Sequence, residues 1–251
     1  MPSVKRVLMH SLASTVTPEV NQVRREQLQA IQNQTRRTGA LALHDVATKR
    51  PEVVAAFLGL DYQPTALEHV GSGCESNVFR LNESDVLKVN FLSLIMSGRK
   101  RQEYARRARV EHQAMKHYLG SFIVPQETDL ATHPSFPNRE ATQATQSFVE
   151  ITDPQLFPST STHEMAQTIG HLRAEQPDII DQLSEFLVRS QRLYREEGLL
   201  PDVLGHGNLV LDDGGSLKMI DGQPIAPQFT DAQARAASNL GYMSAALELA
   251  A

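Results

Sequence analysis

The stretch Val70-Gly71-Ser72-Gly73-Cys74-Glu75-Ser76-Asn77-Val78-Phe79 decides how the middle of this chain folds. Gly71 and Gly73 stand one residue apart between two runs that suit strands. Without a Cβ, a backbone can come close to a bulky anion. A turn of this kind either leads from a strand into a helix or joins two strands. Asn77-Val78-Phe79-Arg80-Leu81 holds a β-branched and an aromatic residue and no helix signal, so it reads as a strand and the turn as a hairpin. The turn alone fits an ordinary hairpin equally well. Its neighbours decide.

Working outward, Ala66–Val70, Asn77–Leu81 and Asp85–Asn90 read as three short strands. Asn82-Glu83-Ser84-Asp85 is the turn between the last two. Lys88 lies ten residues after Val78, inside the apolar run Val86-Leu87-Lys88-Val89. A lysine there either faces solvent or points at something anionic. A strongly basic helix, Arg101–Leu119, follows, with Tyr104, Ala108, Val110, Ala114, Met115 and Tyr118 as apolar contacts and Gly120 as its cap. It carries two carboxylates, Glu103 and Glu111. Phe122–Gln126 and Gln146–Ile151 read as two more strands, and the Pro134, Pro137 and Asn138 stretch as a long turn between them. The middle of the chain therefore reads β-β-β-α-β-β. Upstream, residues 18–58 read as helices, interrupted near Pro51.

Downstream, residues 153–161 are rich in Pro, Ser and Thr and read as a connector. His163–His171 and Asp178–Glu197 read as helices, and Asp231–Leu249 as an Ala-rich final helix. Between them, Leu209–Leu211 and Leu217–Ile220 are short strands joined by the turn Asp212-Asp213-Gly214-Gly215. Asn208 and Asp221, thirteen residues apart, flank this hairpin. An amide and a carboxylate so placed can hold Mg²⁺ against phosphate oxygens. A plain surface hairpin ending in an aspartate is the other reading.

The Gly-rich turn, Lys88, Asn208 and Asp221, in that order, resemble the protein-kinase-like superfamily, above all small bacterial members akin to aminoglycoside phosphotransferases. The match covers roughly residues 66–225. It implies an α+β, two-lobed kinase-like fold. A helical N-terminal extension would occupy 1–65, an N-lobe 66–152, and a reduced, mainly helical C-lobe 153–251. It implies ATP and Mg²⁺ as cofactors and phosphoryl transfer to a small molecule or an unidentified acceptor. Gly71, Ser72, Gly73, Val78, Lys88 and Glu150 would bind the nucleotide. Lys88 would pair with its phosphates and be oriented by Glu111, which is preferred over Glu103 because apolar Val110 and Ala114 flank it. Asn208 and Asp221 would bind the metal.

The sequence also departs from that pattern. Ser76 stands where the third glycine would be. The family's catalytic aspartate lies five residues before the metal-binding asparagine, where this chain has Val203. Asp202 is one residue further away. A bulge at Gly205 would restore it as the base; without one, His206 is the remaining group nearby. The alternative function is a weak or inactive nucleotide-binding pseudokinase that serves as an interaction module. Asp221-Gly222-Gln223 leaves little room for a peptide-binding segment, so a protein substrate of the usual kind is disfavoured.

Composition excludes some other classes. The chain has 251 residues, 41% hydrophobic and 21% charged, enough for one large domain or two lobes. Its net charge of -5 disfavours nucleic acid as a partner. The basic charge is concentrated in 1–50 and 99–116, and 201–251 is acidic. The Arg99–Arg109 run fits a solvated helix face better than a polyanion site. The single cysteine, Cys74, rules out an internal disulfide and suits a reducing compartment; it is a small loop residue or a reactive thiol. No apolar run reaches the length of about 18 residues needed for a membrane span, so no membrane partner is expected. The first twelve residues lack the apolar core of a secretory signal, which leaves the cytoplasm as the default expectation.

Overall fold

The computed structural model describes residues 55, 59–72, 76–90, 93–94, 96–153, 162–203, 207–225 and 230–250. Apart from Ala55, the helices expected within 18–58 lie outside them, as do Gly73, Cys74, Gly205 and His206. The described chain is mixed α+β. It divides into two compact units, Met1–Ala105 with Thr128–Thr145, and Arg106–Glu127 with Gln146–Ala251. The basic helix contributes residues to both units.

The first unit is built on a sheet of five strands: β1 (Glu68–Ser72), β2 (Ser76–Arg80), β3 (Asp85–Asn90), β4 (Gln126–His133) and β5 (Phe136–Ser147). Their order across the sheet is β1-β2-β3-β5-β4. β1, β2 and β3 form an antiparallel meander in which Phe79 lies opposite Leu87. Successive residues of a strand point to opposite faces. One face therefore carries Phe79, Leu87 and Val89, which pack with Ala141 of β5 and with Leu67. The other carries Val86, Lys88 and Asn90. Asn90 donates from Nδ2 to the Tyr104 hydroxyl at 2.9 Å, so this second face looks toward the first turns of α1 (Gly98–Leu119).

Two expectations are corrected here. Phe122–Gln126 is not a strand. Gly120, at φ 60, turns the chain out of α1 into a 3-10 turn, Gly120–Phe122, and Ile123 makes only a single bridge to Met219. The apolar Phe122-Ile123-Val124 run is buried as core filling instead. The long turn is also not a turn. It is the β4–β5 hairpin, closed at Pro134-Ser135, where the Ser135 N–H donates to His133 Nδ1 at 3.0 Å. Its inward positions include polar Thr128, Thr142, Gln143 and Gln146, all buried, which hides the hydrophobic alternation by which strands are recognised.

The second unit holds three further helices, α2 (Thr162–Glu175), α3 (Ile179–Glu197) and α4 (Thr230–Ala250). α3 buries Ile179, Leu183, Phe186, Leu187, Ser190 and Leu193, one stripe of a 3.6-residue period. It stops at Gly198, whose left-handed φ of 67 lets its N–H reach the Tyr194 carbonyl at 2.9 Å. Five short strands complete the unit: β6 (Ile151–Asp153), β7 (Leu200–Pro201), β8 (Leu209–Asp212), β9 (Leu217–Met219) and β10 (Pro224–Ile225). β6-β8-β9 make one sheet, and β7 pairs with β10. Leu209, Leu211, Leu217 and Met219 of the β8–β9 hairpin are buried among Ile169, Leu183, Phe186 and Met243 from the helices. That burial fixes the hairpin, and with it the residues at its open end. Among the described residues no helix is long and apolar enough to cross a membrane.

Candidate functional site

In the first unit, Gly71, Val78 and Lys88 form one row across three strands: Gly71 lies opposite Val78, and Val78 opposite Lys88. Directly opposed residues share a face. The three therefore lie on the α1-facing side of the sheet rather than on the Phe79–Leu87 side. Lys88 is half-buried between the buried Val86 and Asn90. The strand does not place it on an open outer face. A bulge between His69 and Gly71 re-aims β1 beside this row, and its extra residue, Val70, is exposed. A Cβ built on Gly71 would meet nothing within 4 Å. No protein neighbour demands glycine there, and the open space is what an approaching anion needs. Ser72 donates to Asn77 Oδ1 at 3.1 Å and so ties the two flanks of the Gly-rich turn together.

In the second unit, two ladders bring three separated polar residues together. The β8–β9 register pairs Leu209 with Met219, so the next step outward sets Asn208 beside Ile220. The Ile220 N–H accordingly donates to the Asn208 carbonyl at 2.8 Å. Asp221 is the following residue. The β7–β10 register pairs Pro201 with Pro224, which carries Asp202 toward Gln223. The link between the ladders is the Asn208 amide, whose Nδ2 donates to the Asp202 carbonyl at 2.9 Å. The main chain of Asp202 thus lies against the Asn208 side chain, although Asp202 stands one residue off the family spacing, and Asp221 follows Ile220 at the same end of the hairpin. Leu204, Gly205 and His206, which span the extra residue, lie outside the described residues.

The oxygens left over suit a hard cation. With Nδ2 committed to Asp202, the Asn208 amide presents Oδ1. Asp221 Oδ1 accepts the Gln223 N–H at 3.2 Å, which leaves Oδ2. One amide oxygen and one carboxylate oxygen fit Mg²⁺, which takes few protein ligands and is completed by water and phosphate. Among the described residues no three His, Cys, Asp or Glu side chains gather as a metal cage. Two such oxygens alone do not make a metal cage.

α1 places its two carboxylates differently. Its buried stripe runs through Arg101, Ala105, Ala108, His112, Met115 and Leu119. Glu111 lies beside that stripe and is mostly buried, whereas Glu103 is exposed. Burial pushes the Glu111 carboxyl up from its ordinary range, and the Arg107 guanidinium, 3.5 Å away, partly offsets this. Val110, read as a core contact, is instead 55% exposed. Glu150 falls in the exposed link between β5 and β6, where a continuous strand was expected.

Two residues escaped the sequence reading. Gln146, almost wholly buried, donates from Nε2 to the Ile220 carbonyl at 2.9 Å. Ile220 is therefore held at both its N–H and its C=O. His112, also buried, sits against Gly222, with its Nδ1 3.4 Å from the Gly222 carbonyl. The only signal available was a polar residue on the inward stripe of an amphipathic helix.

No protein-family model matches this sequence, and no curated protein is significantly similar to it.

Proposed function

We propose that the chain is a Mg²⁺- and ATP-dependent phosphotransferase of the protein-kinase-like kind, acting on a hydroxyl of a small molecule or other acceptor. The observation that carries the reading is the 2.9 Å bond from the Asn208 amide to the Asp202 main-chain carbonyl, at the hairpin end where Asp221 also lies. The row Gly71–Val78–Lys88 supports it from the other unit. A glycine turn and lysine for phosphate, and an amide and carboxylate for metal, are the parts such a reaction requires.

In this account Gly71 and Gly73 give backbone access to phosphate, Ser72 adds a hydroxyl, and Val78 covers the base. Lys88 pairs with the phosphates, and Glu111 orients it. Glu150 contacts the nucleotide from its link. Asn208 and Asp221 hold Mg²⁺, which neutralises charge on the phosphate oxygens. Asp202 accepts the proton of the acceptor hydroxyl. The acceptor oxygen then bonds the γ-phosphorus as the bond to the β-phosphate oxygen breaks, leaving ADP. Most of the catalysis is positioning and charge stabilisation.

The six-residue spacing between Asp202 and Asn208 favours one other reading, the nucleotide-binding pseudokinase. Turnover of ATP by the Asp202→Ala variant separates the two. The enzyme reading expects at least a hundredfold loss of kcat, the low end of what general acid–base groups contribute (about 10²–10⁴). Nucleotide affinity should stay near that of the parent, because the base does not hold the nucleotide. A variant that matches the parent in turnover would replace the enzyme by the pseudokinase.

A further inference from the structure

We infer that His112 is the positioning residue that fixes Asp221 for metal binding. The inference rests on the reading of Asp221 as a Mg²⁺ ligand. Asp221 is followed by Gly222, which is buried in the second unit. A Cβ placed on Gly222 would lie 2.6 Å from His112 Nδ1 and 3.0 Å from its Cε1. Real Cβ atoms do not come so close. The imidazole occupies the volume that any other residue at 222 would need. Glycine is therefore set here by a neighbour, not by its own backbone, since Gly222 has no positive φ.

The hydrogen bonds give the contact a direction. The Gln126 N–H faces His112 Nε2 at 3.3 Å, and an N–H can only donate. Nε2 is therefore the acceptor, and Nδ1 carries the proton. Nδ1–H then donates to the Gly222 carbonyl, at 3.4 Å. Both bonds are long, so the steric fit contributes more than either. On the other side of Asp221, Gln146 Nε2 donates to the Ile220 carbonyl at 2.9 Å, and Asn208 receives the Ile220 N–H. The backbone is thus gripped on the residue before Asp221 and on the residue after it. From α1, His112 supplies a grip on this segment.

His112 contacts the backbone of Gly222 and of Gln126. His112 acts through the direction in which the Asp221 carboxylate points. Outer partners of this type cost about 10–100-fold in metal affinity when they are removed. His112→Ala should let the 221–223 segment relax. His112→Asn places an amide N–H near the Nδ1 position and should restore much of the fit. Gly222→Ala should push the segment off the imidazole, and the double variant Gly222→Ala/His112→Ala should recover part of that loss because the added methyl then has room.

The experiment is ATP affinity measured in EDTA and at rising Mg²⁺, for the parent and these variants. The expected result is that affinity in EDTA changes less than about twofold in His112→Ala while the gain on adding Mg²⁺ falls about tenfold. His112→Asn should keep most of the gain. If His112→Ala does not fold, Gly222→Ala and the double variant carry the same test through their non-additivity. A Mg²⁺ gain in His112→Ala equal to the parent's, or equal losses with and without Mg²⁺, overturns the positioning role alone. A parent that shows no Mg²⁺-dependent ATP binding overturns the underlying reading of Asp221, and the positioning role with it.

Discussion

At the scale of single residues, the Glu111 carboxyl carries a stability cost that a functional role would have to outweigh. Its carboxyl is mostly buried beside Arg107, and burial holds its pKa above the ordinary value. A group that binds its proton more tightly in the fold than in the unfolded chain destabilises the fold once it ionises. The cost is therefore present at neutral pH and disappears as pH falls through the raised value. Glu111→Gln removes the charge and keeps the shape. The Arg107 attraction lost with the charge is the smaller of the two effects on this carboxyl, burial being the larger. The variant should unfold at a temperature equal to or above the parent's, yet bind ATP more weakly, if Glu111 orients Lys88. A lower melting temperature with unchanged ATP affinity would make Glu111 a structural residue. The strand and hairpin positions of Asn208, Asp221 and Lys88 were legible in the sequence because each sits beside a turn or inside an apolar run of recognisable pattern. His112 was not: its partner Gly222 is 110 residues away, and no local pattern marks such a contact.

At the scale of elements, the β8–β9 hairpin sets the position of both proposed metal ligands. Its turn is built from Asp212, whose N–H donates to the Ser216 carbonyl at 3.0 Å and whose Oδ1 accepts the Ser216 N–H at 2.7 Å. Gly215 takes a φ of 76, and a Cβ there would lie 2.6 Å from Gln176 Nε2. Gln182 of α3 grips the hairpin twice, from Nε2 to the Gly215 carbonyl at 3.1 Å and at Oε1 from the Leu217 N–H at 2.7 Å. Gly215→Ala should therefore cost about 1–2 kcal/mol for the left-handed backbone alone. Chemical denaturation monitored on the second unit checks this, and stability equal to the parent's would contradict the turn geometry. This hairpin was readable because Asp212-Asp213-Gly214-Gly215 separates two short apolar strands. The β4–β5 hairpin was not, because its buried positions are Thr and Gln, and Pro134 and Pro137 looked like breakers. Pro137 is only the second residue of β5, where a missing N–H is tolerated.

At the scale of the whole molecule, acid tests the first unit through His133. Burial lowers its pKa from 6.5 to about 4. The unfolded chain binds its proton from about pH 6.5 downward, whereas the folded unit does so only near pH 4. Stability therefore falls as pH drops through that window, by about 3 kcal/mol if the full shift is expressed. His133→Asn keeps an acceptor for the Ser135 N–H and cannot titrate. Its melting temperature should fall less between pH 7 and pH 4 than the parent's, and an equal fall would remove His133 as the cause. The central claim of the proposed function is that the chain binds ATP with Mg²⁺, the metal through Asp221 and the phosphates through Lys88. The most direct test is calorimetric titration of the full chain with ATP and Mg²⁺, beside Asp221→Ala and Lys88→Ala. The account predicts binding to the parent, loss of the Mg²⁺-dependent part in Asp221→Ala, and weaker binding with or without Mg²⁺ in Lys88→Ala. No heat with the parent at millimolar ATP and Mg²⁺, or binding unchanged by either substitution, would contradict it.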